Sequence, residues 1–298
     1  MRRLSSALVF ALVSCDAVVP MADPGTDSGV IDDVDAGVIV DSGVQEDAGR
    51  DGGVADARVW ILANFADAGV KTGTFTTRQY FETPVLVRGA DFCCAKYGID
   101  LREQLAPDDR RAAFLDVTIH DLVSSDGFGA GIQTANADGA TLFLKNVRIE
   151  PNWPNWVSYS TTNKDGLVLD GSTALYAEDL TIANWNADGA IDNKAGVSQL
   201  VRFKMEGRGN RGIRYWRAGP HYLVESTLEN TGGLGEGSLF WFSNCTGAVV
   251  NIYASTFNGS PTVPANKVKC DSGSAPTLNY LTIDPRTTGE LHPMFGAP

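Results

Sequence analysis

The sequence has little of what metal and nucleophilic chemistry usually require. Its three histidines stand at no ligand spacing from a cysteine, which argues against a zinc site. The serines show no Ser-His-Asp pattern, and no glycine-rich phosphate loop is present. The apolar run from Ala7 to Val13 is too short to cross a bilayer as a permanent helix. Repeats and charged and aromatic side chains are therefore the features of this sequence that can indicate its function.

The N-terminus, "MRRLSSALVFALVSC", joins two arginines, a short apolar run and a cysteine, which is typical of a secretory signal over residues 1–15. Its ending "LVSC" resembles the bacterial lipobox, which implies lipidation of Cys15. Several acyl chains on one residue suffice for stable anchoring, so we expect a cell-envelope protein lipid-anchored to a bacterial membrane, at the outer membrane or cell surface. The alternative is an ordinary signal peptide with a chance cysteine.

Residues 16–57 form loose repeats of Asp, Gly, Val and Ala without any aromatic residue or structural period. Such a composition cannot bury enough surface to offset chain entropy, so we predict a disordered tether. This segment holds ten Asp and one Glu against one Arg, and most of the net charge of -12 therefore lies here. Its Asp spacing does not match a calcium loop, which favours a solvated spacer.

Four further cysteines, Cys93, Cys94, Cys245 and Cys270, are free to oxidise in an exported chain. Four cysteines allow three pairings, and the sequence leaves all three open.

A repeat of 23 residues organises the middle of the chain. From Asp165 it gives "DGLVLDGSTALYAEDLTIANWNA", "DGAIDNKAGVSQLVRFKMEGRGN" and "RGIRYWRAGPHYLVESTLENTGG", without a gap. This alignment places Gly166, Gly189 and Gly212 in one column. Looser copies on both sides indicate six or seven coils between Phe114 and Pro285.

Each repeat contains short apolar strings separated by Gly, Asn, Asp or Ser, which is typical of strands and turns. A repeat of this length has no room for long helices, so helical solenoids are excluded; a sandwich has no gapless period, and a propeller blade needs about forty residues. We therefore predict an all-β, single-stranded parallel β-helix with roughly 23–30 residues per coil.

The predicted domain boundaries follow from these patterns. Residues 114–298 form the β-helix, and residues 58–113 an irregular N-terminal coil and cap. Within that part, "RVWILANF" and "TPVLVRG" are interpreted as strands. The stretch "YGIDLREQLAPDDRRAAF", Tyr97 to Phe114, is interpreted as a short helix that caps the open end of the stack.

Two coils depart from a purely structural repeat. They place Asp192 and Lys194, then Tyr215 and Arg217, in the same outward columns. Since stacked strands lie roughly 4.8 Å apart, we expect Lys194 and Arg217 to be neighbours. Two adjacent cations lower the pKa of the lysine, which suits it to act as a base.

These features resemble the right-handed parallel β-helices of the pectate-lyase-like superfamily. "DGAIDNKAG" is similar to the D-G-x-I-D strand of pectate lyases, and "RGIRYWRAGPH" to their arginine strand, although Gly212 stands where that motif has proline. The pairing of Lys194 with an arginine one coil later is similar to the alginate and chondroitin lyase family. The motif-level likeness covers Asp188 to Asn230.

The resemblance implies β-elimination on an acidic polysaccharide such as pectate or alginate, with no nucleic acid partner. Lys194 is the expected base, and Arg217 or Arg214 stabilises charge or protonates the leaving oxygen. Asp188 and Asp192 are the expected ligands of Ca²⁺. Expected sugar-binding residues are Arg211, Tyr215, Trp185, Trp216 and Trp241, and Trp153 and Trp156 offer further flat faces. His221 is expected to be structural.

One conflict arises within the gapless alignment, because it points Arg214 inward with Val168 and Ile191. A buried unpaired arginine is prohibitively costly. A bulge that shifts the strand by one residue resolves this, burying Ile213 and Tyr215 and bringing Arg214 outward; an internal partner for Arg214 is the alternative. The sequence therefore leaves open which arginine accompanies Lys194.

Three functions follow from the sequence. The first is a surface-tethered polysaccharide lyase. The second is a carbohydrate-binding or adhesive β-helix lipoprotein without catalysis. The third, a glycoside hydrolase, needs several outward carboxylates on adjacent coils, and the two coils offer only Asp192 among arginines and a tyrosine. The sequence decides little between the first two.

Overall fold

The computed structural model describes residues 56–101, 108–134, 139–171 and 174–296. The predicted signal sequence, the lipidation site at Cys15 and nearly all of the tether lie outside the described residues. Those three predictions therefore stay predictions.

The described chain contains many short strands and little helix. The helices are Ala57–Asn64 (α1) and Tyr159–Thr162 (α2), with 3-10 turns at Ala265–Lys267 and Pro293–Phe295. The strands are Gly69–Phe75 (β1), Gln79–Tyr80 (β2), Val85–Cys93 (β3), Tyr97–Asp100 (β4), Arg111–His120 (β5), Phe128–Gln133 (β6), Thr141–Glu150 (β7), Asn163–Leu169 (β8), Ala174–Trp185 (β9), Gly189–Asn193 (β10), Val197–Val201 (β11), Lys204–Gly207 (β12), Arg211–Tyr215 (β13), His221–Val224 (β14), Thr227–Asn230 (β15), Ser238–Phe242 (β16), Val249–Tyr253 (β17), Thr256–Phe257 (β18), Val268–Cys270 (β19) and Thr277–Tyr280 (β20).

The strands form two parallel sheets. The first sheet has the order β1-β3-β5-β7-β9-β11-β14-β17-β20. A branch of the same sheet starts at β9 and runs through β12 and β15 to β18. The second sheet has the order β2-β4-β6-β8-β10-β13-β16-β19. Because each strand pairs in parallel with strands of neighbouring coils, the result is an all-β, solenoid-like stack. The all-β prediction is confirmed, and the stack is compatible with a parallel β-helix.

Ladders of apolar side chains fill the interior. Leu167, Ile191, Ile213 and Phe240 are successive partners in the second sheet, and each is fully buried. Burying one such side chain contributes about 1.5–3 kcal/mol. Because side chains alternate along a strand, the residues that follow them, such as Arg214 after Ile213, face outward.

The repeat of 23 holds from β9 to β14 in the first sheet but not between the strands of the second sheet in the same coils. Leu175 pairs with Ser198 and Ser198 with His221, which are two steps of 23 residues. In the second sheet Asp165 pairs with Gly189 and Gly189 with Arg211, which are steps of 24 and then 22 residues. The three repeat glycines therefore do not share one column.

A bulge in β9 explains the shorter step. Glu206 pairs with Ala183, but Gly207 pairs with Trp185, so Asn184 is one extra residue in the earlier coil. Asn184 has a φ of 54°, a left-handed conformation that asparagine adopts more readily than most residues. The one-residue shift predicted for Arg214 is confirmed, although the bulge lies one coil earlier than its strand.

The segment "RVWILANF" is a helix, so the strand prediction is wrong there. Ala57, Ile61 and Phe65 recur every four residues and are buried on one face, which is helical spacing. The Asp56 side chain accepts a hydrogen bond from the Arg58 backbone N–H and caps the helix. Helix α1 covers the outer face of the first sheet, where it packs with the 3-10 turn near the C-terminus.

The prediction of a short capping helix between Tyr97 and Phe114 is wrong at both ends of this segment. Tyr97–Asp100 and Arg111–His120 are strands, and residues 102–107 lie outside the described part of the chain. By contrast "TPVLVRG" enters strand Val85–Cys93, as predicted.

The structure selects one of the three cysteine pairings. Cys93 is bonded to Cys94, its neighbour in sequence, and Cys245 is bonded to Cys270 across a separation of 25 residues. The second bond joins successive coils of the stack.

Candidate functional site

A stripe of polar and aromatic side chains lies on the outer face of the second sheet. Asp192, Arg214, Trp241 and Lys269 are successive register partners in β10, β13, β16 and β19. Lys194 and Trp216 follow Asp192 and Arg214 by two residues. We define the outer stripe as Asp170, Asp192, Lys194, Arg214, Trp216, Trp241 and Asp271.

Lys194 lies between two carboxylates. Its Nζ is ion-paired with Asp170, one coil earlier, and lies 3.4 Å from Oδ2 of Asp192. Burial alone lowers the pKa of Lys194, but Asp192 and Asp170 outweigh burial and raise this pKa above its usual value. Lys194 is therefore held protonated, which contradicts the expectation that a neighbouring arginine lowers its pKa.

Trp216, not Arg217, is the neighbour of Lys194 in the next coil, because of the 22-residue step. The Lys194 Nζ lies 5.1 Å from the centre of the Trp216 ring. Arg214 stacks on the same ring at 3.9 Å, and the indole N–H donates to Oδ1 of Asp192 at 2.5 Å. The Trp216 side chain is thus fixed between a carboxylate and cations while 36% of the residue stays exposed.

Trp241 is anchored in the same way one coil later. Its indole N–H donates to Oδ1 of Asp271 at 2.6 Å, and Nη2 of Arg214 donates to Oδ2 of the same carboxylate at 3.0 Å. Asp271 therefore links the cation of one coil to the aromatic ring of the next.

Arg211 is buried beside the outer stripe. Its guanidinium lies between the rings of Trp241 and Tyr159, at 4.1 Å and 4.6 Å, and its Nη1 is 3.2 Å from Oδ2 of Asp188. Burial and the nearby Arg214 cation lower the pKa of Arg211 to about 10. Arg211 is consequently a packed structural cation and is not free to grip a sugar.

Two buried carboxyl groups lie near the outer stripe, of which Asp188 pairs with Arg211. Burial raises the pKa of Asp188 to about 6, although the side-chain hydrogen bond from Asn210 opposes the shift. Burial, together with the Asp188 and Asp192 carboxylates, also raises the pKa of Asp165 well above its usual value. Both groups are enclosed, since Asp165 and Asp188 are 6% and 5% exposed.

The expected calcium ligands do not suit a cation. Asp188 already accepts hydrogen bonds from Asn210 and Arg211, and Asp192 accepts one from Trp216 and pairs with Lys194. A metal ion bound by Asp188 and Asp192 would lie close to the Arg211 and Lys194 side chains, and the like charges would repel. Among the residues that the structure describes, no three His, Cys, Asp or Glu side chains form a metal-ligand group.

Two of the expected sugar-binding residues are unsuited to contact a ligand. Trp185 is fully buried in the core, and Tyr215 is 1% exposed and stacks on His221 and Phe242. The same shift that brings Arg214 outward turns Tyr215 inward, and Trp185 turns inward directly after the Asn184 bulge. Arg217 is exposed just after β13 and does not lie beside Lys194.

His221 is buried in a hydrogen-bonded position, in agreement with the structural role expected for it. Its Nδ1 lies 2.9 Å from Oγ of Ser198, and its Nε2 lies 3.1 Å from the backbone oxygen of Arg217. Burial lowers the pKa of His221 to about 4.

The segment 151–162 covers the start of the second-sheet strands without covering Trp216. Trp153 is buried, and its indole N–H donates to the Asp165 backbone oxygen at 3.2 Å. Tyr159 packs on Arg211 as described above. The outer stripe therefore stays accessible beside this loop.

Sequence reasoning missed Asp170, Asp271, Tyr159 and Asp165. Asp170 lies beside Lys194 through a step of 24 residues, whereas the 23-residue alignment places Gly171 in that column. Asp271 comes from a later coil whose step is 28 residues, as in the pair Phe240 and Val268, so no 23-residue column contains it.

No protein-family model matches the chain, and neither the curated proteins nor the solved structures contain a match to it. No helix among the described residues is long and apolar enough to cross a membrane.

A separate open pocket of about 520 Å³ contains no residue of the outer stripe; it is lined by Glu229, Asn230, Thr231, Asn258, Gly259 and Lys267.

Proposed function

We propose that the protein is a carbohydrate-binding, right-handed parallel β-helix of the pectate-lyase-like kind, and that its outer stripe binds an acidic polysaccharide. The alternation of the chain between two parallel sheets, with every strand pairing in parallel with strands of neighbouring coils, supports the fold. The "LVSC" motif supports the accompanying proposal that the protein is tethered to the cell envelope.

The observation that carries the binding proposal is the pair of anchored indoles, Trp216 and Trp241. Each indole N–H is held by a carboxylate, and each ring is stacked on an arginine. Sugar rings pack their C–H faces on such fixed aromatic surfaces, while neighbouring polar groups bond the hydroxyls. Because these side chains are ordered before binding, little entropy is lost when a ligand is bound.

The acidic character of the ligand is supported by the nearby cations. Arg217 is exposed just after β13, and Lys194 and Lys269 are partly exposed on the same side of the sheet. Lys194 and Lys269 are paired with carboxylates, so we propose that a uronate chain exchanges one of these surface pairs for its own carboxylates.

Elimination is the second candidate, and the shared outward face of Lys194 and Arg214 favours it. The carboxylates around Lys194 weigh against it, because a lysine with a raised pKa is a poor base near neutral pH. Asp188 has a more suitable pKa but is enclosed. Binding without catalysis is therefore the better-supported function.

The test combines binding and activity on one set of polymers. The full chain is mixed with pectate, alginate and chondroitin, with and without calcium, and retention on the immobilised polymer is measured beside ultraviolet absorbance from unsaturated ends. We expect retention without absorbance. Absorbance that disappears in Lys194→Ala would establish the lyase instead, and no retention on any polymer would overturn the binding proposal.

A further inference from the structure

A second chemically distinctive cluster lies on the outer face of the first sheet, away from the outer stripe. It consists of the bonded pair Cys93 and Cys94 with His120, Asp91 and Asp121. Cys93 and His120 are register partners at the ends of β3 and β5, and both are partly exposed. Cys94 is exposed.

The Cys93–Cys94 bond cross-links no distant parts of the chain, because the two residues are neighbours in sequence. A disulfide stabilises a fold by closing a loop, and a bond between sequence neighbours closes almost none. The backbone here is held independently, because β3 pairs with β5 through Cys93 and the Cys94 N–H donates to the Asp121 backbone oxygen at 3.2 Å. The strand pairing therefore does not depend on this bond.

Cys94 differs in residue type from Asp121, which occupies the equivalent position in the next coil. Cys94 and Asp121 both have positive φ, 68° and 45°. Aspartate tolerates this left-handed conformation better than most residues, whereas cysteine has no such preference. A cysteine at this position, next to another cysteine, points to a use for the sulfur atoms.

His120 is held in place by two carboxylates. Its Nδ1 lies 2.8 Å from Oδ2 of Asp121, and its Nε2 lies 3.2 Å from Oδ2 of Asp91. These hydrogen bonds, that to Asp121 first, raise the pKa of His120 above its usual value. An imidazole with a raised pKa thus occupies the register position next to Cys93, and an imidazolium in such a position stabilises a thiolate.

We propose that Cys93 and Cys94 form a site of reversible thiol–disulfide exchange with small external thiols. The external thiolate attacks the exposed Sγ of Cys94, the bond between Cys94 and Cys93 breaks, and Cys93 leaves as a thiolate beside His120. A second external thiolate then attacks the sulfur of the thiol bound to Cys94, so that the two external sulfurs form a disulfide and Cys94 leaves as a thiolate. Two external thiols become one external disulfide, and the protein gains two electrons and two protons.

The other disulfide is an internal control. Cys245 is fully buried, and its bond to Cys270 joins two coils across 25 residues. It has the loop closure that the Cys93–Cys94 bond lacks, and one of its cysteines, Cys245, is buried while Cys270 is exposed. Selective reduction of one bond in the same molecule is therefore a direct test.

The full chain is treated with graded dithiothreitol, alkylated and digested with trypsin. Residues 89–96 form one tryptic peptide that contains Cys93 and Cys94 and no other cysteine. We expect these two to become alkylated at a dithiothreitol concentration at least about tenfold lower than Cys245 and Cys270. Opening of both bonds together, or of Cys245–Cys270 first, would overturn the proposal.

Two further measurements sharpen the test. After removal of the reductant, oxidised glutathione should restore the bond in the 89–96 peptide, and a dithiol that persists would contradict reversible exchange. His120→Gln should slow reduction of this bond about threefold or more, because the thiolate loses its cation. Lys204→Gln, which removes an exposed cation elsewhere in the first sheet, should leave the rate unchanged; equal rates in both variants would rule out the role of His120.

Discussion

The indole N–H of Trp216 donates to Oδ1 of Asp192 at 2.5 Å, across two adjacent coils of the second sheet. This bond fixes the edge of the ring, while Arg214 fixes one of its faces. The ring is therefore ordered before any ligand arrives.

The first prediction concerns this ring and its counterpart in the next coil. Trp216→Ala and Trp241→Ala should each weaken retention on the polysaccharide about tenfold, because each removes an aromatic surface. Trp216→Phe should bind between the wild type and Trp216→Ala, since it keeps an aromatic face but loses one ring of the indole and the N–H to Asp192. Tyr280→Ala, which removes an aromatic residue of similar exposure from the first sheet, is the control and should bind normally.

The second prediction concerns the buried carboxyl group of Asp188. Because its pKa in the folded state is raised to about 6, the folded state holds a proton that the unfolded state releases from about pH 4 upward. The free energy of unfolding of the wild type, relative to Asp188→Asn, should therefore fall by up to about 3 kcal/mol between pH 4 and 6. Urea unfolding at several pH values measures it, and a difference that is flat with pH would contradict the raised pKa.

The third prediction has the opposite sign and concerns His221. Because burial lowers its pKa to about 4, the unfolded state binds a proton below about pH 6.5 that the folded state does not accept. Relative to His221→Gln, the wild type should lose up to about 3 kcal/mol of unfolding free energy as the pH falls from 6.5 to 4. The same urea series reports this, and a wild type that gains stability over that window would refute the assignment.

The fourth prediction compares the two disulfides by their effect on stability. Replacing Cys245 and Cys270 by alanine should reduce the unfolding free energy by about 3 kcal/mol, because the loop between them is released. Replacing Cys93 and Cys94 by serine should cost less than about 1 kcal/mol, since almost no loop is released. Denaturant unfolding measures both, and equal losses would show that the adjacent pair is structural.

The alternation of short apolar strings with turn residues was sufficient to predict an all-β repeat. This pattern indicates which side chains must be buried. The cost of burying an unpaired Arg214 predicted a one-residue shift or an internal partner, and the strand register shows the shift. The identity of the bulged residue was not predictable, because Asn184 is one of several asparagines next to strands and only the strand pairing shows which one is extra.

The helix Ala57–Asn64 was misread for a different reason. Its short apolar run fits a strand as well as a helix, and the choice depends on what covers the outer face of the first sheet. That face is covered by α1 and the 3-10 turn at Pro293–Phe295, which are far apart in sequence. The spacing of Ala57, Ile61 and Phe65 and the Asp56 cap are local signals of a helix, but the surface on which these residues pack is set by the long-range contact.

For the candidate site, the sequence determined which kinds of group are present, and the tertiary structure decided their neighbours. Lys194, Arg214 and Trp216 were all identified from the repeat. A single extra residue at Asn184 then placed Lys194 beside Trp216 instead of Arg217. The Asp192 and Asp170 carboxylates beside Lys194 raise the pKa of the lysine. Because side chains in stacked strands change partners with every one-residue change in register, the chemistry of this face depends on the exact length of each coil, and that length is set by pairing across the whole stack.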